Sequence, residues 1–255
     1  MLFKRILGAV VVRQGLAVQS FGYKRWLPLG KPEFLVENLN HWGADGIVVL
    51  ATDRKNNGPD LELIKRLGSL GLSTPLIYGG GILTRNHAIE AIRAGAERLI
   101  LDTALSRSQG EIRAMGKTVG VQALIASIPL IQNNKGAVQH ISHRTGTLAK
   151  LSDSIKTLIA TEKVSEVLTI DVAVEGSKLG FNTVLLDEIK SHTKLPILAF
   201  GGLANSELIR PLLNKPQVAG IVVGNALNYR EHAIGQLKSE LVDQPLRPHL
   251  PQSYL

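Results

Sequence analysis

LIYGGGILTRNHAIEAIRAGAERLILDTAL, residues 76–105, places an apolar run, three consecutive glycines, a stretch with helical spacing and a second apolar run in one short segment. The plan returns as LAFGGLANSELIRPLL (198–213) followed by VAGIVVGNAL (218–227). Tyr78, Gly79 and Gly80 answer to Phe200, Gly201 and Gly202, and Ala104 and Leu105 to Ala226 and Leu227, each displaced by 122 positions. A strand–helix–strand unit built twice, at near half the chain length, predicts a body with internal two-fold symmetry.

Working outward, apolar runs of strand length recur near residues 5–12, 46–51, 74–79, 97–101, 121–127, 165–171, 195–200 and 218–223. Between them lie EFLVENLNHW, DLELIKRLGSL, NHAIEAIRAG and SDSIKTLIATEK, whose apolar spacing is helical. Eight strand-then-helix units in 255 residues predict an α/β fold, a single (β/α)8 TIM barrel. Its half-barrels would run over 1–120 and 121–240, with a tail at 243–255. An open doubly wound sheet would not explain a repeat at half length.

Hydrophobic residues make up 44% of the chain and aromatics 4%, as suits Val/Ile/Leu-rich strands buried on both faces. No apolar stretch reaches the ~20 residues that span a bilayer, and no signal-peptide pattern opens the chain, so a cytoplasmic protein without a membrane partner is expected. Cysteine is absent. Any step that needs a thiol must therefore occur in a partner, and no metal or cofactor is implied. A net charge of +8 favours anionic company, such as a phosphorylated small molecule. The basic residues are scattered without an aromatic-basic motif, which argues against nucleic acid.

Two connections are too long for simple barrel loops. Residues 13–31 combine Arg13, Lys24, Arg25 and Lys31 with Phe21, Tyr23 and Trp26, and residues 128–150 suggest a hairpin excursion. Both follow a strand and so belong to the face where barrel active sites form.

The glycines suit phosphate binding, because an anion needs backbone N–H groups unshielded by a Cβ and a helix N-terminus facing it. One cradle would comprise Gly79, Gly80, Gly81, Asp102 and Thr103, before a helix starting near Thr84. Its counterpart would comprise Gly201, Gly202, Gly224 and Asn225. Strand-end turns would also explain the glycines, but their recurrence favours paired cradles and a ligand with two phosphates or a diphosphate.

MLFKRI at the start, YGGGI (78–82), GAERLILDTA (95–104), EGSKLGF (175–181), FGG (200–202) and NYRE (228–231) together resemble the cyclase subunit of imidazole glycerol phosphate synthase, a histidine-biosynthesis barrel that receives ammonia from a glutaminase subunit. The resemblance spans nearly the whole chain. It implies ligand contacts at Gly81, Asp102, Thr103, Glu175, Gly176, Gly202, Gly224 and Asn225, although the family usually has Asn at Asp102 and Asp at Glu175. It also implies two catalytic aspartates, and here those positions read Val11 and Pro129; a family lysine is replaced by Gln19. General acid or base groups contribute about 10²- to 10⁴-fold each, so the chemistry has been rebuilt or abandoned.

Charges interrupt the strands near their starts at Arg5, Arg98 and Glu166, and buried charges must be paired. A stability cluster at the barrel bottom would satisfy them. In the resemblance they match the ammonia gate beneath the docked glutaminase, with Gly46 where a fourth, glutamate member stands and Glu97 on the docking surface. A barrel with a gate and cradles but no cyclase acids is similar to cyclase-like proteins of bacterial surface polysaccharide synthesis, and YKRWLPLGKPE (23–33) resembles that branch. The expected function is thus an ammonia-passing subunit with a glutaminase-type partner and a separate sugar amidotransferase. The alternatives are a cyclase with relocated acid and base, and a barrel that only binds phosphate ligands. Asp171, ending the sixth strand, is the surviving acid–base candidate or else a turn cap. His140 and His143, without a third ligand, are expected to be solvent-exposed, and Lys178 to lie on the rim.

Overall fold

The computed structural model describes residues 3–54, 57–107, 109–143 and 145–248. The end of the predicted tail, 249–255, lies outside them. Eight parallel strands close on themselves: β1 (Arg5–Arg13), β2 (Ile47–Ala51), β3 (Leu76–Gly79), β4 (Arg98–Leu101), β5 (Leu124–Gln132), β6 (Glu166–Asp171), β7 (Ile197–Phe200) and β8 (Val218–Val223). β8 returns to β1 in the register Arg5↔Gly220 to Gly8↔Val223, so both sequence halves share one sheet. All eight expected strands are present. The fifth starts later and ends later than its apolar run, because residues 121–123 form a 3₁₀ turn and the strand continues to Gln132.

Helices α1 (Pro32–His41), α2 (Leu61–Gly68), α3 (Arg85–Arg93), α4 (Gln109–Val119), α5 (Asp153–Ala160), α6 (Val184–Lys190), α7 (Ser206–Leu213) and α8 (Ala233–Glu240) surround the barrel. Side-chain caps fix several starts: Asp60 accepts from Leu63 N, Thr84 from His87 N, Ser152 from Ile155 N and Asn205 from Leu208 N. Each such cap satisfies an orphan donor and contributes about 1 kcal/mol.

Alternation along the strands sorts the core into two shells. Leu7, Val48, Ile77, Ile100, Leu168 and Val222 fill the lumen, with Phe200 and Ile170 among them, while their sequence neighbours pack against the helices. Each fully buried aliphatic side chain contributes about 1.5–3 kcal/mol.

The two long connections are ordered hairpins. Leu16–Phe21 folds back on β1 and pairs with Arg25–Gly30. Val138–Ile141 folds back on β5 and pairs with Leu148–Ala149. The repeat is real, but its register differs at the glycines. Gly80 and Gly201 have φ +140° and +120°, and Gly81 and Gly202 have +70° and +69°. Gly80 therefore corresponds to Gly201 rather than to Gly202, a displacement of 201 − 80 = 121. The 122 displacement holds further on, where Asp102 and Gly224 each precede a 3₁₀ turn.

Candidate functional site

At the carboxyl ends of the strands, the first hairpin lies across the mouth and is bound to the second half of the barrel. Ser20 Oγ donates to Glu175 Oε2 at 3.0 Å, and Tyr23 N donates to the same oxygen at 3.2 Å. Gly22 N donates to the Glu175 carbonyl at 3.1 Å. Asn225 accepts from Ser20 N and donates to the Ser20 and Gly176 carbonyls. A Cβ on Gly176, at φ +78°, would lie 1.9 Å from the Ser20 carbonyl oxygen. Glu175, Gly176 and Asn225, expected to contact a ligand, are gathered around the hairpin. Burial raises the Glu175 carboxyl above its usual range, and the donors from the hairpin partly offset this.

The space left there is small. Val11, Phe200, Gly202, Gly224 and Asn225 line a cavity of about 20 Å³, room for roughly one water. Outside it, Leu29, Leu35, Trp42 and residues 228–231 of the NYRE segment line a cleft of about 390 Å³.

In the first half, Gly80 and Gly81 are required both by their positive φ and by crowding. Their Cβ atoms would stand 2.5 Å from the Ala51 carbonyl oxygen and 2.2 Å from that of Gly58. Arg54 braces the opposing loop through the carbonyls of residues 57, 58 and 59. The turn explanation is therefore sufficient for these glycines. Asp102 and Thr103 follow β4, and the short turn begins at Thr103.

Val11 and Pro129 both lie on the lumen-facing side of their strands by alternation with Leu7 and Ile125. Pro129 is tolerated because Leu130 O accepts from Val172 N on the β6 side, so the missing N–H of Pro129 points to the other side, where β4 has ended. Gln19 Nε2 donates to Tyr229 Oη at 2.9 Å. Asp171 falls on the outer side of β6. Its carboxylate accepts from Ala173 N and Asn182 N, closing its own loop, and burial raises its pKa. Lys178 sits on the rim, 5.3 Å over the Tyr229 ring.

The histidines depart from expectation, since both are half-buried. Burial lowers the His140 pKa. His143 Nε2 lies 4.0 Å from Asp102 Oδ2, and its ring meets Tyr23 edge-on with centroids 5.0 Å apart. Tyr23 packs on the top of the lumen cluster, beside Ile141. Its hydroxyl is buried without a hydrogen-bond partner among the described residues. In the sequence Tyr23 is one aromatic among several, and its one local signal is Gly22 beside it; in the fold both sit at the hairpin tip with positive φ. Among the described residues, no group of three His, Asp or Glu side chains is placed to hold a metal ion, and no helix is long and apolar enough to cross a membrane.

At the opposite end, Glu166 joins Arg5 through one oxygen and Arg98 Nη1 through the other at 2.6 Å. Arg98 also donates to Ser165 Oγ and the Gln122 carbonyl. The Gly46 site is occupied by neighbours, as a Cβ there would lie 3.0 Å from Leu7 Cδ2 and 3.3 Å from Ile77 Cδ1. The described tail continues beside this face, with Lys4 N donating to the Pro245 carbonyl and Arg247 N to the Lys4 carbonyl. Glu97 is exposed here.

The class that the fold defines is a closed (β/α)8 barrel, with paired glycine turns at its mouth and a bridged Arg–Glu–Arg floor. The chain belongs to the histidine biosynthesis protein family, whose model matches residues 5–233. It is 26% identical over 248 residues to the imidazole glycerol phosphate synthase subunit HisF of Thermococcus gammatolerans, covering 96% of this chain and 97% of that one. It is 24% identical over 255 residues to the putative imidazole glycerol phosphate synthase subunit hisF2 of Vibrio vulnificus, covering 98% and 92%. With the HisF subunit of Methanococcus maripaludis strain C7 it shares 25% over 265 residues, covering 94% and 97%.

Proposed function

We propose that the chain is the ammonia-accepting barrel subunit of a glutamine-dependent complex of the imidazole glycerol phosphate synthase type. A glutaminase-type partner docks on the N-terminal face and releases ammonia there. The ammonia passes the floor and rises to a phosphorylated acceptor at the mouth. The observation that carries this reading is Glu166, held between Arg5 and Arg98 beneath a lumen filled by apolar side chains. Such a lumen suits neutral ammonia and disfavours ammonium, whose transfer into an apolar medium is costly.

The histidine-pathway reading is the one the relatives' names support. A surface-polysaccharide destination rests on a gate and cradles kept without the cyclase acids, which are replaced by Val11 and Pro129, and on the YKRWLPLGKPE segment, part of the first hairpin. The test is glutamate release from glutamine by a histidine-pathway glutaminase, with and without this chain. Stimulation in the wild type, lost in Glu166→Ala, is expected. A chain that neither co-elutes with the glutaminase nor stimulates it overturns the proposal, and phosphate-ligand binding without stimulation would mark a binding barrel.

A further inference from the structure

Val11 and Pro129 cannot move protons, yet the mouth is not without groups that can. Three residues from three loops converge over the top of the lumen. Asp102 directly follows β4, two residues after the lumen-facing Ile100. His143 belongs to the second hairpin, which continues from the strand of Pro129, and stands 4.0 Å from the Asp102 carboxylate. Tyr23, at the tip of the first hairpin, packs edge-on against His143. Its hydroxyl is buried and unpartnered among the described residues, an arrangement that ordinarily costs free energy. A buried donor left unmatched at the end of an apolar lumen is a site prepared for a ligand atom.

We propose that His143, Asp102 and Tyr23 form the proton-handling array of the mouth, acting in place of the absent carboxylates on a phosphorylated carbonyl compound that ammonia attacks. The inference rests on the ammonia-accepting reading above. As the nitrogen lone pair forms the C–N bond, the carbonyl π pair moves to oxygen. His143 takes a proton from the nitrogen and returns it to that oxygen, giving the neutral carbinolamine, so atoms and charge balance without a co-reactant. Asp102 stabilises the transient imidazolium; a carboxylate here, where the resembled family has an amide, gives His143 an ion-pair partner. Tyr23 donates a hydrogen bond to the developing oxyanion, the kind of contact that stabilises such a charge. Burial, Glu175 and Asp102 keep its hydroxyl protonated, as a permanent donor must be.

The experiment measures turnover of the bisphosphorylated substrate of imidazole glycerol phosphate synthase at millimolar ammonia, with glutaminase stimulation assayed in parallel. Wild type is expected to turn over. His143→Gln and Asp102→Asn should each lower kcat by about 10²- to 10⁴-fold, and Tyr23→Phe by about 10²- to 10³-fold, with KM within a few-fold and melting curves unchanged. Turnover that survives the His143 and Asp102 substitutions overturns the array. A wild type that stimulates the glutaminase without turning over overturns the array alone. One that does neither overturns both readings.

Discussion

Asn225 and Ser20, 205 residues apart, exchange a reciprocal pair of hydrogen bonds: Ser20 N donates to Asn225 Oδ1 at 3.2 Å, and Asn225 Nδ2 donates to the Ser20 carbonyl at 2.7 Å. A side-chain amide thereby does for the hairpin what a neighbouring strand would do, pairing one N–H and one C=O.

Asn225→Leu keeps much of the volume and leaves both Ser20 groups unmatched. The expected cost is about 1–3 kcal/mol. Hydrogen exchange should quicken at residues 20–23 while β1 through β8 keep their protection. Uniform loosening of the whole barrel would show that the hairpin is not a separable unit.

Glu175 gives the mouth a pH dependence. Its carboxyl is raised by burial, so the folded state favours the protonated form. This stabilising preference is fully present below the unfolded value near pH 4.3 and is lost as pH rises through the folded value. Glu175→Gln retains an acceptor for Ser20 and Tyr23 without the buried charge. Its melting temperature should exceed that of the wild type at pH 7 and converge with it near pH 4, as read by calorimetry.

Two glycines with φ above +70° separate crowding from strain. Gly15, at φ +76°, has nothing within 4 Å of a built Cβ, whereas Gly176 would meet the Ser20 carbonyl oxygen. Gly15→Ala should cost about 1–2 kcal/mol, the price of the left-handed conformation for an L-residue. Gly176→Ala should cost clearly more and expose Tyr23 to solvent, a change that tyrosine fluorescence can follow.

Gly46→Glu would restore the fourth charged residue of the resembled floor. Because Leu7 and Ile77 occupy that space, overpacking should destabilise the chain by about 1–3 kcal/mol. Combining it with Leu7→Ala should recover part of the loss in urea titrations.

Aspartates at Val11 and Pro129 would point into the lumen end. Val11 is buried beside Val18 and Leu50, so the double variant should melt earlier than the wild type at neutral pH. Cyclase turnover gained from it should be weak, since misplacement by ~1 Å costs about 10²-fold. A gain that persists in a double variant also carrying His143→Gln would place the added chemistry in the new carboxylates.

Most of the barrel could be read from the chain because parallel strands buried on both faces are continuous apolar runs, and each carries its own signal. The floor was equally legible: Arg5, Arg98 and Glu166 interrupt those runs, and a charge inside a barrel must find its opposite. The mouth was not. Tyr23, Asp102 and His143 come together only through strand order and hairpin register, which no local pattern encodes. Asp171 is a different case. Counting in twos from Glu166 through Leu168 and Ile170 already places it on the outer side of its strand, and that alternation would have separated a turn cap from an acid facing the substrate. At the glycines, residue identity suggested one register and backbone conformation another, because FGG aligns with YGG as well as with GGG.

The hairpin's anchors have a consequence for the order of assembly. Glu175 and Asn225 follow Ser20 by 155 and 205 residues, so during synthesis from the N-terminus the segment that covers the mouth is made among the first and fastened among the last. Until β8 has closed on β1, the Ser20 N–H and carbonyl lack their Asn225 partner, and Glu175 alone reaches the hairpin tip. A chain truncated before residue 218 would hold the cover through Glu175 alone, with both Ser20 backbone groups unmatched.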